Sequence, residues 1–146
     1  IQSGNVIFQF KKSEPLKIGN MIKNKIFDEY GFDVPVIVKE FRELKDILKN
    51  NPFVNNINVD ISMLHVTFLS AIPVKSEVNK LKDFNFSPDE FKIIGDVIYL
   101  HIPSGYGNTK LNINFFQNKL KVIATNRNWK TVNELCKIAD SIENNK

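Results

Sequence analysis

Gly95-Asp96-Val97-Ile98-Tyr99 echoes Gly4-Asn5-Val6-Ile7-Phe8, with similar residues in the same order at an offset of 91 positions. A five-residue match is weak alone, so the offset has to hold elsewhere. Phe41, Leu44 and Ile47 fall on Val132, Leu135 and Ile138, the i, i+3, i+6 apolar spacing of one helix face. Two elements of different type in one register point to duplication, with a period too long for a solenoid or propeller. The chain is expected to be two tandem half-domains.

Outward from Gly95 the second half is the easier to follow. Phe91 to Ile94 and Val97 to Ile102 are strand-like runs joined by Gly95-Asp96, a pair that tolerates the positive φ of a tight two-residue turn. Upstream, His65 to Ser70 reads as a strand and Ser76 to Asp83 as a helix; Ser87-Pro88-Asp89-Glu90 has the capping-box pattern of a single helical turn. Downstream, the loop Ser104 to Asn108 leads into a helix carrying Leu111, Phe115, Phe116 and Leu120, then a short strand at Val122 to Thr125. A last helix is expected near Thr131, with Glu134 completing a capping box and Val132, Leu135, Ala139 and Ile142 as its apolar stripe. The order β-α-β-β-α-β is the split βαβ arrangement called ferredoxin-like, and the fold class is α+β.

Carried back by 91 positions, the pattern makes Ile1 to Phe10 the end of a first hairpin and Leu16 to Tyr30 a helix capped by Ser13. Val34 to Val38 becomes a strand and Phe41 to Leu48 the start of a closing helix. The expected division is 1–50 as a first ferredoxin-like half, 51–62 as linker, and 63–146 as the second half with an extra C-terminal helix. The first half then lacks its N-terminal strand and helix, as an N-terminal truncation would leave it. Since unpaired strand backbone is costly to bury, either strand exchange with another chain or a rearranged first half is expected.

Composition narrows the class. In 146 residues, 42% hydrophobic and 25% charged, a sizeable core is within reach without disulfides. The net charge of +4 is too small to imply nucleic acid. Cys136 is the single cysteine, which excludes an internal disulfide and fits a reducing cytoplasm; it sits on the last helical pattern, where a buried inert thiol is expected. No apolar run is long enough to span a bilayer, so no membrane partner is expected.

Several ordered segments carry a resemblance: Gln2-Ser3-Gly4-Asn5-Val6-Ile7-Phe8, Gly31-Phe32-Asp33-Val34-Pro35-Val36, Asn51-Pro52-Phe53, Leu64-His65-Val66-Thr67-Phe68, Tyr99-Leu100-His101 and Thr125-Asn126-Arg127-Asn128-Trp129. Together they resemble a bacterial family of unknown function, number 1697 in the domain-of-unknown-function series. The resemblance implies two ferredoxin-like halves, a further glycine-rich N-terminal segment ahead of the Gln-Ser-Gly-Asn motif, and no established activity.

Two loops are candidate sites for a small anionic or phosphorylated ligand, or for a partner. Ser104, Gly105, Gly107, Asn108, Thr109 and Lys110 run from a strand toward a helix, where N–H groups and the helix dipole favour an anion. Their spacing matches neither the phosphate-loop nor the dinucleotide fingerprint. Arg127, Asn128 and Trp129 offer a cation, an amide and a flat ring ahead of the last helix; equally, Trp129 can bury itself while its neighbours close the turn. His65 and His101 are expected on one open face of the sheet, His101 as the candidate acid or base of an enzyme acting on a phosphorylated small molecule. No metal site or cofactor is expected. RNA binding through Phe8, Phe10, Tyr99 and His101 is disfavoured, because the glycine-aromatic strand motif is missing. An interaction protein whose sheet pairs with another chain is the third alternative.

Overall fold

A computed structural model describes residues 4–144. The helices are α1 (Pro15–Tyr30), α2 (Phe41–Lys49), α3 (Lys75–Lys80), α4 (Ile113–Leu120) and α5 (Trp129–Asn144). The strands are β1 (Leu64–Leu69), β2 (Glu90–Ile94), β3 (Val97–His101) and β4 (Ala124–Asn128), and they form one antiparallel sheet in the order β2-β3-β1-β4. From β1 to β4 the elements run β-α-β-β-α-β, the order expected of residues 63–146.

Local chemistry explains most boundaries. Pro15 opens α1, where its missing N–H costs nothing, and Gly31 closes it at φ 71°, its N–H donating to Phe27 O. The cap residue is Glu14, not the expected Ser13. A capping box between Glu40 and Glu43 starts α2, and Asn112, whose side chain accepts from Phe115 N, starts α4. Gly95 takes φ 62° at the β2–β3 turn, a conformation cheap only for glycine.

Sheet register divides the core. Leu64, Val66, Phe68, Val97 and Tyr99 lie on one face and pack with Ile47 of α2 and with Trp129 and Val132 of α5. Leu69, Ile98 and Leu100 lie on the other, against Leu81, Leu111, Phe116 and Leu120. Each fully buried Leu, Ile or Phe contributes about 1.5–3 kcal/mol relative to exposure, so both faces are strongly held.

Several expectations change here. Ile1 to Ser3 lie outside the described residues; residues 4–10 and Val34 to Val38 form no strand. Val34 to Val38 has strand-like residues, but a strand exists only through its ladder, and the segment packs instead on α1, where Gly19 comes within van der Waals reach of Val36 and Val38. Ser87 to Glu90 makes no helical turn: Asp89 N donates to Phe86 O, and Glu90 begins β2. The last strand covers Ala124–Asn128 rather than Val122 to Thr125, and α5 begins at Trp129 with Asn128 rather than Thr131 at its cap, Asn128 Oδ1 accepting from Thr131 N. Neither sheet face is open. His65 pairs with Leu100 and His101 with Leu64, so the two histidines point to opposite faces.

Candidate functional site

The loop after β3 is organised by a carboxylate from another part of the chain. Asp89, only 8% exposed, accepts from Ser104 N at 3.1 Å and from Ser104 Oγ at 2.7 Å. Burial works to raise its pKa, but hydrogen bonds from Ser104 and Thr109 and the nearby His101 hold the carboxyl below the usual range. Within the loop, Gly105 N donates to Ile102 O, Asn108 N to Gly105 O and Asn108 Nδ2 to Ser104 O. Thr109 Oγ1 accepts from Leu111 N. Ser104, Gly105 and Asn108 thus direct these donors to groups of the chain itself.

The expected helix dipole is also out of place. The helix starts at Ile113, beyond the loop, and Asn112 satisfies its first turn. Lys110 is exposed.

A second polar group lies on the face of the sheet covered by α4. Tyr106 stacks on His65 with ring centroids 4.6 Å apart. Asn126 Nδ2 donates to Thr67 Oγ1 at 2.9 Å, and its Oδ1 lies 3.3 Å from His65 Nδ1. Burial lowers the His65 pKa, partly offset by the Asn126 bond; the same desolvation raises that of the Tyr106 phenol.

Arg127 points to the opposite face, in register with Val66. Its Nε donates to Asn5 Oδ1 at 2.6 Å, Nη2 to Gly4 O at 2.9 Å, and Nη1 to Thr125 Oγ1 and Asn126 O. All three nitrogens are engaged, and the side chain ties the N-terminal segment to the edge of β4. Trp129 is buried in the core. Asn128 caps α5.

His101 leans the other way along the sheet, its Nδ1 3.4 Å from Glu90 Oε1 and its ring 5.9 Å from that of Phe53. The structure therefore links the Ser104–Lys110 loop to strand β4 through the Tyr106–His65–Asn126 contact but does not bring Lys110, Arg127 and His101 to one point. Cys136 is buried, and desolvation raises its thiol pKa. Among the described residues there is no cluster of His, Cys, Asp or Glu able to hold a metal, and no helix is long and apolar enough to cross a membrane.

Sequence inspection missed Asp89 as the organiser of the loop. Its partner Ser104 lies 15 positions away, a separation that no local pattern encodes. The His65–Asn126–Thr67 network was equally hidden, because it depends on cross-strand register.

Comparison with known proteins bears on this geometry. Over 142 residues, 97% of this chain, the sequence is 25% identical to part of the alanine–tRNA ligase of Mycoplasma capricolum subsp. capricolum, strain California kid. The match covers 15% of that ligase's length. No solved structure matches. Residues 1–99 match the family described as protein of unknown function DUF1697, and the chain belongs to that family.

Proposed function

We propose that this protein is a non-catalytic interaction module, binding a partner through its surface rather than a small molecule in a cavity. The carrying observation is Asp89: a loop whose Ser104 donors are taken by an internal carboxylate has little left for an external anion. An enzyme on a phosphorylated small molecule is supported less well, since Arg127 is bonded to Gly4 and Asn5 at one sheet edge while His101 faces Glu90 at the other. The segmental likeness to a much longer ligase accords with a unit that works appended to, or alongside, larger proteins.

The duplication belongs to the same proposal. The 91-residue offset carries α1 onto α4, α2 onto α5, and Val34 to Val38 onto β4. A tandem ferredoxin-like origin accounts for that correspondence, with the second half holding the sheet and α2 packing beside α5 as its counterpart.

RNA is a second reading, favoured by the likeness to a tRNA ligase and by the net charge of +4. Against it, Tyr99 on the would-be stacking face is 2% exposed beneath α2 and α5. A thermal-shift screen against phosphorylated metabolites and short RNAs separates these readings, because native-state binding raises Tm. No shift is expected, whereas affinity capture should retain a protein partner whose complex re-forms from the purified components. A Tm rise with any phosphorylated metabolite would overturn the module.

A further inference from the structure

The two edges of the sheet differ. Along β4, Ala124 N donates to Gln117 Oε1, and Arg127 pulls Gly4 and Asn5 against the strand's end. The β2 edge has no such cover among the described residues. Gly95-Asp96 makes a two-residue hairpin, so the pair flanking it, Ile94 and Val97, is hydrogen-bonded, and the alternation continues through Lys92–Tyr99 and Glu90–His101. The N–H and C=O groups of Phe91 and Ile93 therefore face outward.

Their side chains border a groove. A concavity of about 320 Å³ lies among Val78, Leu81, Lys82, Phe84, Phe91 and Ile93. A second, of about 410 Å³, continues past Phe84 toward Asp89. Phe84 is 42% exposed beside it.

On the partner-binding reading above, we infer that the β2 edge is a docking site for an extended peptide, which adds a fifth strand to the sheet. Main-chain bonds to Phe91 and Ile93 supply affinity, and alternate side chains enter the groove. Residues opposite Phe91 and Ile93 project over Phe84 and are apolar. The residue between them falls opposite Lys92, on the other face. Lys92, on that other face, is exposed and has no ion-pair partner among the described residues. The occupant is thus an apolar–acidic–apolar segment.

A second copy fits poorly. Antiparallel self-pairing over the whole of β2 sets Lys92 against Lys92, which is repulsive. The shift that opposes Lys92 with Glu90 overlaps the two β2 strands over Glu90 to Lys92 alone, a ladder of three residues.

The test is fluorescence anisotropy of the whole chain with a labelled Thr-Val-Asp-Val-Asp-Val-Thr peptide, beside the same peptide N-methylated at alternate residues and one with Lys for Asp. Saturable binding at or below roughly 1 mM is expected for the first peptide only. Lys92→Glu should weaken it about three- to tenfold and improve the Lys peptide, as expected for reversing an exposed pair. Ile93→Pro, placed where the N–H faces solvent and the hairpin ladder is untouched, should abolish it; the melting curves of both variants report that they fold. No binding of the acidic peptide, equal binding of the N-methylated one, indifference to Lys92→Glu, RNA displacing the peptide, or a dimer by ultracentrifugation whose interface is lost in Ile93→Pro would each overturn the inference. Failure here with unchanged partner capture leaves the interaction module standing; a metabolite-induced Tm rise removes the module itself.

Discussion

At the scale of single residues, Asp89 decides the character of the loop that looked most like a ligand site. Asp89→Asn removes the charge and leaves one acceptor oxygen for the two Ser104 donors in a part-buried setting, so it should cost about 1–3 kcal/mol by chemical denaturation. The pH dependence has a definite sign. Because the folded-state pKa is depressed below the ordinary 3.8, this stabilisation is complete above that value and is lost as pH falls through the lower folded one. Stability profiles below about pH 4 should therefore converge for the natural chain and the Asn variant. An unchanged gap at acid pH would show that Asp89 stabilises the loop by shape rather than by charge. The residues of this site were visible in the sequence, but their pairing was not: Ser104 and Asp89 meet because the β2–β3 hairpin folds one onto the other.

At the scale of elements, the Gly95-Asp96 hairpin turn was written in a short pattern and held, whereas the caps expected at Ser13, Ser87 and Thr131 did not. Gly31 and Gly95 sit where positive φ was needed. The helix α4 ends differently, on Lys121 at φ 57°, with its N–H donating to Gln117 O. A left-handed conformation costs a non-glycine residue roughly 1–2 kcal/mol, part of which glycine returns through its freer unfolded chain. Lys121→Gly should raise stability by a few tenths to about 1 kcal/mol, read as a higher Tm. A lower Tm would mean that the Lys121 side chain matters more than its backbone. β4 was misjudged for a related reason. Ala124 to Asn128 is mostly polar and has no apolar alternation, and it becomes a strand because β1 offers it a ladder from His65 to Leu69.

For the whole molecule, the sheet with α2 and α5 on one face and α4 with the chain around α3 on the other is the stable body. α1 sets Gly19 close to Val36 and Val38 and leaves Leu16, Met21, Phe27 and Tyr30 exposed. Few buried contacts mean low local stability. Native-state hydrogen exchange should protect the amides of β1 and β3 most strongly, while those of α1 exchange through local opening well before global unfolding. Equal protection of α1 and the sheet would indicate one cooperative unit.

The sequence by itself determined the order of elements after residue 63, the two-residue hairpin, the approximate spans of α1 and α2 and the family, because periodicity and glycine chemistry act over a few residues. Tertiary structure alone decided which face each histidine occupies, that α2 and α5 close the face expected to be open, and that Val34 to Val38 pairs with no strand. It also decided that Asp89 meets Ser104, whose N and Oγ both donate to its carboxylate. Each of these depends on groups far apart in the chain, whose meeting is set by strand register and by competition for shared surface rather than by any local pattern.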